Sequence, residues 1–100
     1  MTHVDPAVVL AAAGAAWLDR AEPGWAARID LDRFDMASGC DCIGGQLRES
    51  FWRFRQQHRL SPRRYEELGF LLPEPVMREE YGPLEAAWRA QILNRRELPP

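Results

Sequence analysis

The chain contains no lysine, so all thirteen of its basic side chains are arginines. It has only two cysteines, Cys40 and Cys42, which excludes the disulfide frameworks that staple small secreted domains. The Met1 end lacks the basic segment of a signal peptide. The alanine-rich run around Leu10 to Ala16 is too short and too weakly apolar to span a bilayer. A cytoplasmic protein with no membrane association is therefore expected. No serine, histidine or cysteine stands in a visible nucleophile, base and orienter arrangement, and Asp30, Asp32, Asp35 and Asp41 sit where aspartate commonly serves local hydrogen bonding. A non-enzymatic protein without a cofactor is expected. The exclusive use of arginine, beside abundant alanine, reads as coding bias, although a guanidinium has bidentate and stacking options that an ammonium lacks.

What is present points to a folded domain. Apolar residues make up 46% of the 100 residues and include four tryptophans, unlike the composition of disordered chains. One domain over residues 1–100 is expected, burying roughly two thirds of the surface of its unfolded chain. The net charge of −2 is unevenly distributed: residues 1–47 carry −4, residues 48–64 carry +5 and residues 65–100 carry −3. A basic island lies between acidic flanks.

Asp5-Pro6 is a cap followed by proline at the first helical position, and Leu10, Gly14, Trp17, Leu18 and Ala21 recur at helical spacing. A first helix is predicted over Pro6 to Glu22, ended by Pro23 and Gly24. The connector that follows alternates Ile29, Leu31, Phe34 and Met36 with aspartates but has no second strand to pair with, so an extended or single-turn segment is predicted. Ser38 and Asp41 resemble a capping box, and Ile43, Leu47, Ser50, Phe51, Phe54 and His58 share one helical arc. A continuous second helix over Gly39 to Arg59 is predicted. Ser61-Pro62 opens a short third helix, ended near Leu68 by Gly69 and Phe70 in the Schellman manner. A proline-stiffened linker leads to one turn at Met77 to Tyr81. Pro83 opens a last helix with Leu84, Ala87, Trp88, Gln91 and Ile92 facing the core. The expected fold is an all-α bundle of three main helices and one short one, with the second helix central and the first and last packed on it.

Cys40 and Cys42 admit three readings. On a helix that starts at Ser38 they point about 200° apart and cannot chelate one ion, and His58 lies far along the same helix; His3 is the other histidine. One thiol then packs as a small hydrophobe and the other lies near the helix N-terminus. The alternatives are a metal site completed by a second subunit and a reactive thiol activated by the helix terminus. Gly44 and Gly45 are expected to admit close approach by another segment.

Arg48, Trp52, Arg55 and Arg59 recur at i, i+4, i+7 and i+11 on the side of the second helix opposite its core arc, and Arg63 and Arg64 extend the patch. One reading covers the tryptophan with another helix and with arginine stems. The other is a binding surface, since tryptophan and arginine are the types most enriched among interface hot spots. An acidic protein partner is expected. The alternative is nucleic acid, with the second and third helices as a helix-turn-helix, against which stand the shortness of the third helix and the isoelectric point of about 5.7.

The run from Glu22 to Met36, the Cys40-x-Cys42 to Gln46-Leu47 block, and the late Leu84 to Ile92 segment together resemble a group of small uncharacterised proteins of actinobacteria and their phages, over most of residues 17–92. This chain has Gly44 where that group tends to have a larger apolar residue. The resemblance implies a small protein that binds and redirects a host component, and no chemistry.

Overall fold

A computed structural model describes residues 5–73 and 77–97. His3 and the middle of the proline-rich linker lie outside the described residues. Five α-helices follow one another: α1 (Pro6–Ala21), α2 (Ile43–Arg48), α3 (Phe51–His58), α4 (Pro62–Glu67) and α5 (Gly82–Glu97). Single 3-10 turns cover Trp25–Arg28 and Arg78–Tyr81. There is no strand among the described residues, and the domain is all-α.

The helix ends follow local chemistry. The Asp5 carboxylate accepts the Ala7 N–H at 2.9 Å, and Glu22 leaves helical geometry ahead of Pro23. Ser61 caps α4 by accepting the Arg64 N–H at 3.1 Å. At the other end Gly69 takes φ +73°, its N–H reaching the Glu66 carbonyl and that of Phe70 the Tyr65 carbonyl, the two bonds of a Schellman stop.

The second helix is broken, which corrects the expectation of a continuous helix from Gly39 to Arg59. Residues 39–42 form turns, α2 ends at Arg48, Glu49 takes φ +72°, and Ser50 starts α3 by accepting the Arg53 N–H at 3.2 Å. In an unbroken helix the Phe51 N–H would bond the Leu47 carbonyl. Here it bonds the Gly39 carbonyl at 2.7 Å, and the Leu47 carbonyl accepts instead from Arg28 Nη2 at 3.0 Å and Arg48 Nη1 at 3.1 Å. Gly45 permits this return: a Cβ there would lie 2.4 Å from the Gly39 oxygen. At Gly44 a Cβ would meet the Phe51 and Phe54 rings at 2.8 Å.

The packing hub also differs from expectation. α1 and α5 are the most closely packed pair, rather than each lying on a central second helix. Gly14 makes that approach possible, since a Cβ there would fall 2.0 Å from the Leu68 oxygen and 2.7 Å from the Trp88 ring. α3 reaches the core through side chains: an aromatic chain runs from Trp25 to Trp88, Phe70, Phe54 and Trp17, with successive ring centroids 5.3–6.2 Å apart. The buried Trp88 N–H donates to the Gly69 carbonyl at 2.8 Å.

The connector between α1 and α2 is held by side chains in place of a paired strand. Arg89 on α5 donates to the Leu31 and Phe34 carbonyls, and Arg96 to those of Ala26 and Ile29. Glu85 accepts the Met36 N–H, and Gln46 on α2 bonds both the N–H and the carbonyl of Asp30. Several arginines are thus structural, which coding bias alone would not require.

The break makes a sign test available. In a continuous helix Glu49→Gly would cost about 1 kcal/mol. With Glu49 in the left-handed region, and only its exposed pair to Arg53 to lose, the substitution is expected to stabilise by about 0.5–1 kcal/mol. A lowered urea midpoint for this variant would contradict the break.

Candidate functional site

The opening turns of the 39–48 region place the two thiols differently. Ser38 Oγ accepts the N–H groups of Cys40 and Asp41, so it organises a turn and does not cap α2. The cap is Cys42, whose sulfur accepts the Gly45 N–H at 3.3 Å. Cys42 is buried and Cys40 exposed. Burial pushes the Cys42 thiol up to about 11, against the lowering effect of the Gly45 and Gly44 N–H groups. The helix terminus therefore does not activate this thiol. Among the described residues, no three histidine, cysteine, aspartate or glutamate side chains gather as metal ligands.

A cluster that sequence reading missed lies at the end of α1. Glu22 is 4% exposed, and its carboxylate meets Arg48 Nη2 at 2.6 Å, His58 Nε2 at 2.9 Å and Arg28 Nη1 at 3.4 Å. His58 is walled by the Trp17 and Phe54 rings, with centroids 4.8 and 4.7 Å away. Glutamate before Pro-Gly reads as an exposed helix end, and only the long-range fold brings its three partners to it. The cluster is closed on itself: every charged group in it has a partner. It is a structural clamp.

The predicted Arg/Trp face is rearranged by the break. Arg48 leaves it, because the i, i+4 relation to Trp52 held only on a continuous helix and its guanidinium turns in to Glu22. Trp52 is 65% exposed on α3, so it is not covered by another element of the described chain. With Arg55, Gln56 and Leu60 it lines a shallow groove of about 280 Å³. The Arg55 guanidinium lies 5.6 Å from the Tyr65 ring centroid, and the Tyr65 hydroxyl donates to the Arg55 carbonyl at 3.3 Å, which fixes α4 against this face. Arg59 ends α3 in the left-handed conformation and is exposed. Among the described residues neither Arg55 nor Arg59 forms an ion pair, whereas Arg63 and Arg64 both approach Glu67, at 3.9 and 3.4 Å. α4 is six residues long and its two arginines share a carboxylate, which makes it a poor recognition helix.

No family model, no curated protein and no solved structure matches this chain. Among the described residues no helix is long and apolar enough to cross a membrane.

The thiol environments predict a pH effect with a definite sign. The folded state holds the Cys42 proton up to about pH 11, whereas the unfolded chain releases it near the ordinary value of 9.0. The unfolded state thus binds fewer protons across that window, and stability falls as pH rises through it, by about 2 kcal/mol. Cys42→Ser replaces the sulfur cap with an oxygen one and is expected to lose this alkaline decline while its neutral-pH stability changes little. In the native protein a thiol reagent is expected to modify Cys40 at once and Cys42 only on unfolding. Two equally fast thiols would contradict the assignment.

Proposed function

We propose that this is a cytoplasmic, non-enzymatic protein-interaction module that docks an acidic partner surface on the face formed by Trp52, Arg55, Arg59 and Leu60, with Arg63 and Arg64 at its edge. The observation that carries the reading is Trp52, a large aromatic 65% exposed in one groove with Arg55, while neither Arg55 nor the exposed Arg59 has a carboxylate partner among the described residues. Holding an indole in water is unfavourable by about 25 cal/mol per Å² of apolar surface, and covering it recovers that energy. Arginine in the same groove supplies direction, since its planar fork bonds carboxylates bidentately. The anchoring is rigid, because α3 is capped by Ser50 and tied to α4 by Tyr65. Less of the binding energy is then spent on ordering the surface. The resemblance to small phage and actinobacterial proteins fits a role in binding and redirecting another protein.

Trp52→Ala and Arg55→Glu are both expected to leave the thermal midpoint within a few degrees of the parent. Each is expected to weaken partner binding at least about tenfold, the range of interface hot spots. Pull-down followed by titration of the recovered partner checks this, and unchanged recovery by both folded variants contradicts it. Fluorescence anisotropy with single- and double-stranded oligonucleotides tests the nucleic-acid alternative. Affinity that collapses with added salt would move the face to phosphate binding, whereas a tryptophan-anchored protein contact weakens far less.

A further inference from the structure

From Pro6 to Leu18 the α1 helix carries no charged side chain. Ala11, Gly14, Ala15 and Leu18 face the core and are buried. The opposite side is apolar too: Val9, Ala12, Ala13 and Ala16 are exposed, Val9 at 54%, and Val8 beside them at 48%. A helix apolar on all sides is normally covered on all sides. Here one long face of α1 meets nothing in the described chain.

The pattern of that face identifies its occupant. At 100° per residue Asp5, Val9, Ala12, Ala13, Ala16 and Arg20 fall within about 100° of arc. All six are exposed, and among the described residues neither Asp5 nor Arg20 is in an ion pair. Their positions are symmetric about the midpoint between residues 12 and 13: 5 mirrors 20, 9 mirrors 16 and 12 mirrors 13. Two antiparallel copies of α1 related by a two-fold axis at that midpoint set Asp5 opposite Arg20 at both ends, Val9 against Ala16, and Ala12 against Ala13. An isologous contact needs this self-complementarity, residue i meeting j while j meets i. A parallel pairing would instead put Asp5 against Asp5 and Arg20 against Arg20.

We infer that α1 pairs antiparallel with α1 of a second copy of this chain, through Val9, Ala12, Ala13 and Ala16, with Asp5 and Arg20 setting the register. Alanine loses no rotamer freedom on burial and lets the two helix axes approach closely, so the small side chains do not forbid association. A lipid surface is a poorer fit, since interfacial helices insert bulky apolar groups and carry basic residues along their polar side. A 16-residue helix is short of a standard interface, so a dimer with micromolar affinity is expected. Each dimer then carries two copies of the Trp52 face, although the pairing does not depend on what that face binds.

Sedimentation equilibrium on the intact chain across the micromolar range tests the inference. The expected result is a mass that rises with concentration from 11.5 kDa toward twice that value. Ala13→Arg, at the centre of an exposed face, is expected to weaken association more than about tenfold with unchanged helical circular dichroism and unchanged thermal midpoint at low concentration. Arg20→Glu, which places like charges opposite each other, is expected to weaken association at low salt and much less at high salt. A monomer at every concentration up to the solubility limit overturns the inference and leaves the face to a different protein or to none. A dimer indifferent to Ala13→Arg overturns it as well.

Discussion

The fold is organised around the buried Glu22 carboxylate, whose oxygens must find partners inside the domain. Removing a carboxylate from water costs several kcal/mol, and the cost is offset only when its lone pairs are filled by well-placed donors. Here the donors come from three further elements: Arg28 from the turn after α1, Arg48 from the end of α2, and His58 from the end of α3. Bringing all three to one point fixes how those elements meet. It also accounts for the interruption of the second helix. Arg28 and Arg48 take over the Leu47 carbonyl while they hold Glu22, and the displaced Phe51 N–H finds the Gly39 carbonyl. The positive φ at Glu49 costs on the order of 1 kcal/mol. That is small against leaving a buried carboxylate or a carbonyl without partners.

The absence of lysine has a structural counterpart in this arrangement. Arg28 bridges Glu22 and a backbone carbonyl, Arg89 and Arg96 each serve two carbonyls of the connector, and Arg95 reaches both Asp19 and Gln91. A planar fork with several fixed donors can close two acceptors at once, and it does so here where a β-strand would otherwise have paired the connector. Against this background the arginines of the Trp52 face stand apart. Arg55 and Arg59 are exposed and have no carboxylate partner among the described residues, and Arg55 shares a groove with the exposed indole.

Much of the fold was legible from short-range signals. The caps at Asp5 and Ser61, the stop at Gly69 and the turn before α5 depend on residues close in sequence, and the glycine pair at 44 and 45 signals a close approach without naming its partner. The features that were not legible arise from long-range demands. Ser50 has the chemistry of a helix cap, but Ile43, Leu47, Phe54 and His58 keep one helical rhythm across it, and periodicity alone favours a continuous helix. Glu22 looks like an exposed helix end until Arg28, Arg48 and His58 are brought to it. Spacing alone sets Arg48 on one face with Trp52, and the same break that satisfies Glu22 takes it away. Of the predicted face, Trp52 and Arg55 line one groove, while Arg63 and Arg64 approach Glu67.

Urea unfolding of Glu22→Gln measures most directly whether the clamp on the Glu22 carboxylate holds the fold. The amide keeps the shape and removes the charge that three cationic or hydrogen-bonding side chains converge on. A loss of at least about 2 kcal/mol is predicted, because the guanidinium and imidazole groups are left facing one another. A variant within about 0.5 kcal/mol of the parent would show that the clamp does not hold the fold, and the explanation of the broken helix would fall with it.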